Sequence, residues 1–147
     1  MKEIKAKEDS FVLTNDQQRS FELFCEWLNT PYSYNPFVMK GFAGSGKTYL
    51  SMKLLKKVDE LGLCWTVVAP THKAVGVLRE NLKNESIQPT CFPSTIHRLL
   101  RLKLKRQADV EICEKTDQTE SSLENLGLVL IDEASMIDSK LLEITLE

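Results

Sequence analysis

One string of eight residues, Gly41-Phe42-Ala43-Gly44-Ser45-Gly46-Lys47-Thr48, matches the phosphate-binding loop pattern G-x-x-x-x-G-K-[ST]. It constrains the fold because such a loop works between a buried strand and the start of a helix, where backbone N–H groups surround phosphate oxygens. Lys47 is expected to reach the β- and γ-phosphates, and the Thr48 hydroxyl is expected to hold Mg²⁺. The predicted nucleotide contacts are Gly41, Ala43, Gly44, Ser45, Gly46, Lys47, Thr48 and the adjacent Tyr49.

The residues on both sides of the loop fit this requirement. Pro36 to Lys40 is a short apolar run of the kind expected for a buried parallel strand. After the loop, apolar residues recur at helical spacing, and Gly62 stands where a helix C-terminus is expected. That face consists of Leu50, Leu54, Leu55, Val58 and Leu61. A glycine-rich turn without chemical meaning would leave the Lys47-Thr48 pair at the helix start unexplained.

Two acids near the end of the chain complete the predicted site. The apolar run Leu126 to Ile131 predicts a strand, and Asp132 and Glu133 follow it directly. Because parallel strands end at the crevice that also holds the loop, Asp132 is expected to complete the Mg²⁺ shell, and Glu133 to orient and deprotonate the attacking water. Helix capping is the structural alternative for such a pair. No N-K-x-D string for reading guanine is present, which favours ATP over GTP.

The rest of the chain alternates strand and helix patterns, which predicts an α/β fold with a parallel sheet flanked by helices. Thr14–Gln17 has the T-x-x-Q form of a capping box ahead of a helix. Cys64 to Ala69 predicts the second strand, and a helix is expected after it. Ser94 is expected to cap a short helix that runs through Leu100. The last helix, predicted over residues 137–147, would leave its apolar side exposed unless another surface covers it.

Residues 101–114 alternate between apolar and polar types, which predicts a β-hairpin that turns near Gln107-Ala108. Its first arm is basic and its second arm is acidic, so cross-strand pairing on a solvated ribbon accounts for the charges. The basic arm would also suit contact with phosphate groups.

Composition narrows the class of protein. A chain of 147 residues with 42% hydrophobic residues suits one domain, and the net charge of −2 means that any nucleic-acid contact must rest on local patches. The four cysteines form no C-x-x-C pair, so reduced and mostly buried thiols are expected.

Residues 1–12 are charged and expected to be flexible. An apolar signal segment and a run of about 18 apolar residues are both missing, so we expect a soluble cytoplasmic protein without a membrane partner.

Further motifs occur together with the loop in a fixed order. They are Leu13-Thr14-x-x-Gln17, Gly41–Thr48, Ala69-Pro70-Thr71-His72-Lys73-Ala74, Ser94-Thr95-Ile96-His97 and Ile131-Asp132-Glu133-Ala134-Ser135-Met136. In this order they resemble the front half of a superfamily 1 DNA helicase of the RecD/Dda type, over about residues 11–142. The resemblance implies a partial RecA-like ATPase domain over residues 13–147, with ATP and Mg²⁺ as cofactors. It also implies 5′→3′ movement on single-stranded DNA, in replication, recombination or repair.

The resemblance implies roles for single residues as well. Gln17 matches the glutamine that contacts adenine, although the capping box also accounts for it. Pro70-Thr71-His72 matches a motif that binds the DNA strand, and Ser94-Thr95 with His97 matches the next such motif. Both histidines also have a purely structural explanation. His72 would be a water-exposed residue at a helix start, and His97 would be a half-buried structural residue.

The chain departs from the helicase pattern in two places. The predicted hairpin stands where the family has a strand-separating pin, but no Phe, Tyr or Trp lies between residues 93 and 147 to act as a wedge. The G-D-x-x-Q motif and the second RecA-like domain, which supplies an arginine to the ATP site, are also missing. We therefore expect a fragment that hydrolyses ATP very slowly alone and whose partners include a second RecA-like half or other replication and repair proteins.

Two other functions remain open at this point. A non-catalytic remnant would bind nucleotide or DNA without turnover. A small-molecule P-loop kinase would share the phosphate loop, but it has no reason to carry Pro70-Thr71-His72 or Ser94-Thr95-Ile96-His97.

Overall fold

The computed structural model describes residues 13–30, 35–41, 44, 46–119 and 123–146. The helices are α1 (Asn15–Asn29), α2 (Lys47–Glu60), α3 (His72–Asn84), α4 (Ile96–Leu99) and α5 (Ser139–Leu146). The strands are β1 (Trp65–Ala69), β2 (Ser94–Thr95), β3 (Lys103–Gln107), β4 (Val110–Glu114) and β5 (Leu128–Ile131). The chain divides into two compact units at Leu54/Leu55, within α2. The predicted flexible segment 1–12 lies outside the described residues, as do Phe42, Ala43 and Ser45 of the loop.

In the first unit, α1 begins at the predicted capping box. The Thr14 hydroxyl accepts a hydrogen bond from the Gln17 backbone N–H at 3.2 Å, and Gln17 Oε1 accepts one from the Thr14 N–H at 3.0 Å. Two N–H groups that the first turn of the helix cannot satisfy therefore find partners. The T-x-x-Q prediction is confirmed.

Aromatic packing, and not strand pairing, holds the segment that leads into the phosphate loop. The Phe37 ring packs edge-on against Phe24 of α1 at 5.4 Å between centroids, and Trp27 donates from Nε1 to the Asn35 carbonyl at 2.9 Å. Val38 is 65% exposed, and residues 36–40 form no strand. The predicted strand at Pro36 to Lys40 is therefore wrong, because an apolar run becomes a strand only where a neighbouring strand supplies hydrogen bonds.

The second unit contains the parallel sheet, with the strand order β2-β1-β5. Central strand β1 pairs with β5 from Trp65 opposite Leu128 to Val68 opposite Ile131, and with β2 at Val68 opposite Ser94. Every residue of β1 is buried, which suits a strand rich in β-branched and aromatic side chains in the middle of a sheet. The sheet and its helices confirm the predicted α/β fold.

Helices cover the sheet with the apolar faces that the sequence predicts. The α3 residues Val75, Leu78 and Leu82 are buried. The α5 residues Leu141 and Ile144 join a core cluster with Val68, Ile96 and Leu100. The apolar side of the last helix is therefore covered at Leu141 and Ile144, and the surface that covers it is this core cluster.

The predicted hairpin is present as β3 and β4, which pair antiparallel from Lys103 opposite Glu114 to Gln107 opposite Val110. Its two-residue turn is Ala108-Asp109, one position later than expected, and Ala108 has a φ of +56°. A positive φ at this point matches the turn to the twist of the strands. Lys105 and Glu114 form a cross-strand ion pair at 2.6 Å, as the charge pattern of the arms predicts.

Smaller predictions need correction. Thr95, and not Ser94, caps α4, since α4 begins at Ile96 and the Thr95 hydroxyl accepts from the Arg98 N–H. Leu61 is exposed after the end of α2, although Gly62 has the positive φ expected of a helix-terminating glycine. Cys64 and Cys91 are exposed, so the expectation of buried thiols is wrong for both. Among the described residues, the helices are too short or too polar to cross a membrane.

Candidate functional site

The glycines of the phosphate loop adopt the backbone conformation that an anion cradle needs. Gly44 has a φ of +77° and Gly46 a φ of +82°, a region that strains residues with a side chain. The Gly46 carbonyl accepts the first helical hydrogen bond, from the Leu50 N–H at 3.0 Å. The loop therefore runs directly into the N-terminus of α2, where backbone N–H groups and the helix dipole favour a negatively charged ligand.

Gln17 of α1 lies against this loop. A Cβ atom built on Gly46 would stand 2.5 Å from Gln17 Nε2, so position 46 has no room for a side chain while Gln17 stays in place. The Oε1 atom of the same side chain caps α1. Opposite ends of one amide therefore cap α1 and face the loop, so the capping role leaves the predicted adenine contact open.

The side chains that follow the glycines stand on the first turn of α2. Lys47 donates from Nζ to the Gly41 carbonyl, so its ammonium group is held back over the loop. Thr48 is exposed, and Tyr49 is half-buried with Lys53 Nζ 5.3 Å from its ring centre. A glycine cradle, a lysine and a hydroxyl fit the phosphates and Mg²⁺ of a nucleoside triphosphate. The predicted contacts Ala43 and Ser45 lie outside the described residues.

In the second unit, the parallel strands bring the other predicted residues to one edge of the sheet. Strands β1, β2 and β5 all run in the same direction and end there. The Asp132 N–H donates to the Val68 carbonyl at 2.9 Å, so the pairing with β1 extends to the first of the two acids. Pro70-Thr71, Ser94-Thr95 and Asp132-Glu133 therefore lie at the carboxyl edge, where ligands of open α/β sheets bind.

Glu133 has an unusual backbone at this edge. Its φ of 52° and ψ of 38° lie in the left-handed region, and its side chain is exposed while Asp132 is half-buried. A glutamate in this conformation costs about 1–2 kcal/mol relative to an ordinary backbone. Strain of this kind is concentrated at functional sites, so the backbone gives a separate reason to examine Glu133.

Hydroxyl groups at the same edge cap helices. Thr71 Oγ1 accepts from the Ala74 N–H at 3.2 Å at the start of α3, and Thr95 Oγ1 accepts from the Arg98 N–H at 3.3 Å at the start of α4. Ser94 donates from Oγ to the Thr95 carbonyl at 3.2 Å. His72 is exposed on the first turn of α3, whereas His97 is half-buried. The capping threonines fix where the first turns of both helices begin.

Comparison with known protein families matches the AAA domain, a family of P-loop helicase-type domains, to residues 27–146. The chain belongs to the AAA domain family. The match includes the loop, all strands of the sheet and the two acids. This AAA domain therefore has the nucleotide-binding P-loop of a nucleoside triphosphatase-type enzyme family.

A relative of this AAA domain is an uncharacterized protein of Acanthamoeba polyphaga mimivirus. The two are 34% identical over 144 aligned residues, and the match covers 90% of this chain and 29% of the viral protein. The chain thus spans less than a third of the length of the relative that it matches.

Sequence reasoning named the loop, both acids and the strand-end motifs of the AAA domain, but it missed two features. It gave no sign that Glu133 is left-handed, because glutamate is not a residue type typical of that conformation. It also did not show that Gln17 and Gly46 touch, since 29 positions separate them in the sequence.

Proposed function

We propose that this AAA domain is the ATP-dependent motor domain of a 5′→3′ DNA helicase of the RecD/Dda type, which couples ATP hydrolysis to movement on single-stranded DNA. The observation that carries the proposal is the carboxyl edge of the sheet in the second unit, which holds Thr71 and Thr95 as well as Asp132-Glu133. The same edge of one sheet thus carries residues that suit DNA binding and residues that suit ATP hydrolysis. Such an arrangement supports coupling between the two activities.

At the nucleotide, we assign each residue the role that its chemistry suits. Lys47 would exchange the Gly41 carbonyl for the β- and γ-phosphates, and Gln17 would offer its amide group to adenine. Thr48 and Asp132 would hold Mg²⁺, a hard cation that prefers oxygen ligands. The ion would neutralise charge on the phosphates, while Glu133 would orient and deprotonate the attacking water.

At the DNA, the starts of α3 and α4 would contact the strand. Pro70-Thr71-His72 leads into α3, whose first turn presents backbone N–H groups suited to phosphate oxygens. The exposed ring of His72 is suited to stack on a base. Ser94-Thr95 and His97 would continue the track at α4.

Nucleotide binding is the first test, and the 147-residue chain can be used as it stands. Titration with a fluorescent ATP analogue should show a loss of affinity of tenfold or more, about 1.4 kcal/mol, in Lys47→Ala. Lys57→Ala is the matched control, because Lys57 lies on the last turn of the same helix. Equal affinities of the two variants would contradict the assigned role of Lys47.

Coupling to DNA is the second and decisive test. Single-stranded DNA should bind the chain, and a non-hydrolysable ATP analogue should change its Kd by about fivefold or more, within the usual range of coupling energies. DNA binding that ignores nucleotide would contradict a motor and favour the non-catalytic remnant. Phosphoryl transfer to a small molecule without DNA would favour the kinase. Displacement of a strand from duplexes with a 3′ tail but not a 5′ tail would contradict the proposed polarity.

A further inference from the structure

An exposed aromatic side chain lies close to the proposed DNA track without belonging to any of the sequence motifs. Phe92 is 78% exposed, and it stands two residues before Ser94. It lines a surface cleft together with Arg79, Arg98 and Arg101. Among the described residues, no carboxylate lines this cleft. The cleft therefore combines an apolar ring with positive charge, which suits an anionic ligand that carries planar groups.

The ring is backed on one face by a fixed cation. The guanidinium carbon of Arg79 lies 4.7 Å from the centre of the Phe92 ring, and Arg79 Nη2 donates to the Pro93 carbonyl at 2.8 Å. This hydrogen bond holds the guanidinium group in place on α3 while it stacks on the ring. With one face covered by Arg79 and most of the side chain exposed, the opposite face of Phe92 is available to a ligand.

The backbone before Phe92 is also held firmly. The Thr90 N–H donates to the Trp65 carbonyl at 2.9 Å, and Thr66 Oγ1 donates to the Cys91 carbonyl at 2.9 Å. Both partners belong to β1, the central strand of the sheet. The aromatic ring therefore projects from a segment that is anchored to the core, and such rigid support reduces the entropy lost when a ligand binds.

We propose that Phe92 is a stacking platform for one base of single-stranded DNA, with Arg98 neutralising an adjacent phosphate. The proposal rests on the proposed helicase function and extends its DNA track from Ser94 of the edge strand β2 to Phe92, two residues before it. Aromatic side chains flanked by cations are the usual means of holding single strands without regard to sequence. Arg101 contributes less, because its Nη1 already donates to Gln118 Oε1 at 2.7 Å.

The test compares two fluorescent strands of equal length, oligo(dT) and an abasic deoxyribose-phosphate strand, by anisotropy. Phe92→Leu should weaken binding of oligo(dT) by on the order of five- to a hundredfold and leave the abasic strand unaffected, because only the stacked base is lost. Phe92→Tyr should bind like the unaltered chain. Leu142→Ala is the control for loss of an exposed apolar side chain elsewhere in the same unit.

Arg98 gives a second, independent readout. Arg98→Gln should weaken both strands and lower the slope of log K against log salt by about 0.7, the value for one phosphate contact on a single strand. Lys83→Gln, on the last turn of α3, is the matched control and should leave the slope unchanged.

The outcomes separate the stacking proposal from the helicase proposal. Equal effects of Phe92→Leu on both strands, or no effect on either, would overturn stacking; if the DNA affinity still depends on nucleotide, the helicase proposal survives. No binding of either strand by the unaltered chain would overturn both proposals. Competition by poly-glutamate that depends on Phe92 would show that the cleft takes an acidic peptide instead. Unfolding curves that overlay for all variants would exclude a folding defect.

Discussion

The side-chain amide of Gln17 lies so close to Gly46 that a methyl group at position 46 would stand 2.5 Å from its nitrogen. The same amide accepts a hydrogen bond from the Thr14 N–H through Oε1. Helix α1 is thus fixed against the phosphate loop by a residue that also defines where the helix begins. A substitution at either position should therefore alter the contacts of the other residue.

Gly46→Ala should cost more stability than Gly44→Ala. Both glycines have a positive φ, so either substitution costs about 1–2 kcal/mol of backbone strain. Among the described atoms, nothing lies within 4 Å of a Cβ at Gly44, whereas at Gly46 the Gln17 amide must swing away. That movement gives up the hydrogen bond from the Thr14 N–H to Gln17 Oε1, at a further cost of about 0.5–1.5 kcal/mol. Urea denaturation of the two variants measures the difference.

The Gln17→Ala background is the control for this prediction. There the amide is already gone, so the excess cost of Gly46→Ala over Gly44→Ala should vanish in a double-mutant cycle. An excess that persists without Gln17 would show that another contact restricts position 46.

Glu133→Gly should leave the protein as stable or up to about 1 kcal/mol more stable, because release of left-handed strain outweighs the added freedom of the unfolded chain. Ser135→Gly, in the 3₁₀ turn Ala134–Met136 and without a positive φ, should instead lose about 0.5–1 kcal/mol. Denaturant midpoints compare the two. If Glu133 acts on the attacking water, Glu133→Gly should also abolish ATP turnover and keep nucleotide binding. A loss of stability in Glu133→Gly would refute the claim of strain.

Substitutions at Thr71 should separate helix capping from DNA contact. Thr71→Ala removes the acceptor for the Ala74 N–H and should cost about 1 kcal/mol. Thr71→Asp keeps a good cap and stability, but its negative charge should repel a phosphate and weaken the binding of single-stranded DNA. Thr71→Ser should preserve both properties. Denaturant unfolding measures the stability of all three variants, and titration with single-stranded DNA measures their affinity. An unchanged DNA affinity in Thr71→Asp would mean that Thr71 does not contact the DNA.

Adjacent leucines on α5 should differ sharply. Leu141 is 3% exposed in the core cluster and Leu142 is 45% exposed. Leu141→Ala should cost about 2–5 kcal/mol because it removes buried apolar atoms and leaves a cavity. Leu142→Ala should stay within about 0.5 kcal/mol. Thermal and urea unfolding decide the matter, and similar losses for both would mean that α5 does not pack on the sheet as described.

Patterns that arise from local chemistry were predictable. The capping box of α1 follows from the spacing of Thr14 and Gln17, and the apolar faces of α3 and α5 follow from helical periodicity. The loop and the two acids were also identified from the sequence, because each is a short motif of adjacent residues whose types indicate its chemistry. The helicase assignment and the contacts with ATP, Mg²⁺ and DNA stay predictions.

Predictions that depended on distant partners failed or shifted. The run Pro36 to Lys40 has the composition of a strand, but packing of Phe37 on α1 fixes it instead. Ser94 and Thr95 are both good helix caps by type, and the start of α4 at Ile96 decided that Thr95 takes this role. Exposure of Cys64 and Cys91 likewise depends on which neighbours cover them.

The sequence by itself determined the P-loop, the hairpin and the alternation of strands and helices, because backbone preferences and side-chain chemistry act over a few neighbouring positions. Only the tertiary structure decided that Gln17 meets Gly46, that Glu133 is left-handed and that Phe92 stands exposed against Arg79. Each of these depends on contacts between residues far apart in the chain or on backbone strain that the surrounding fold imposes. Such effects are set by the packing of the whole molecule, which no short pattern of residues encodes.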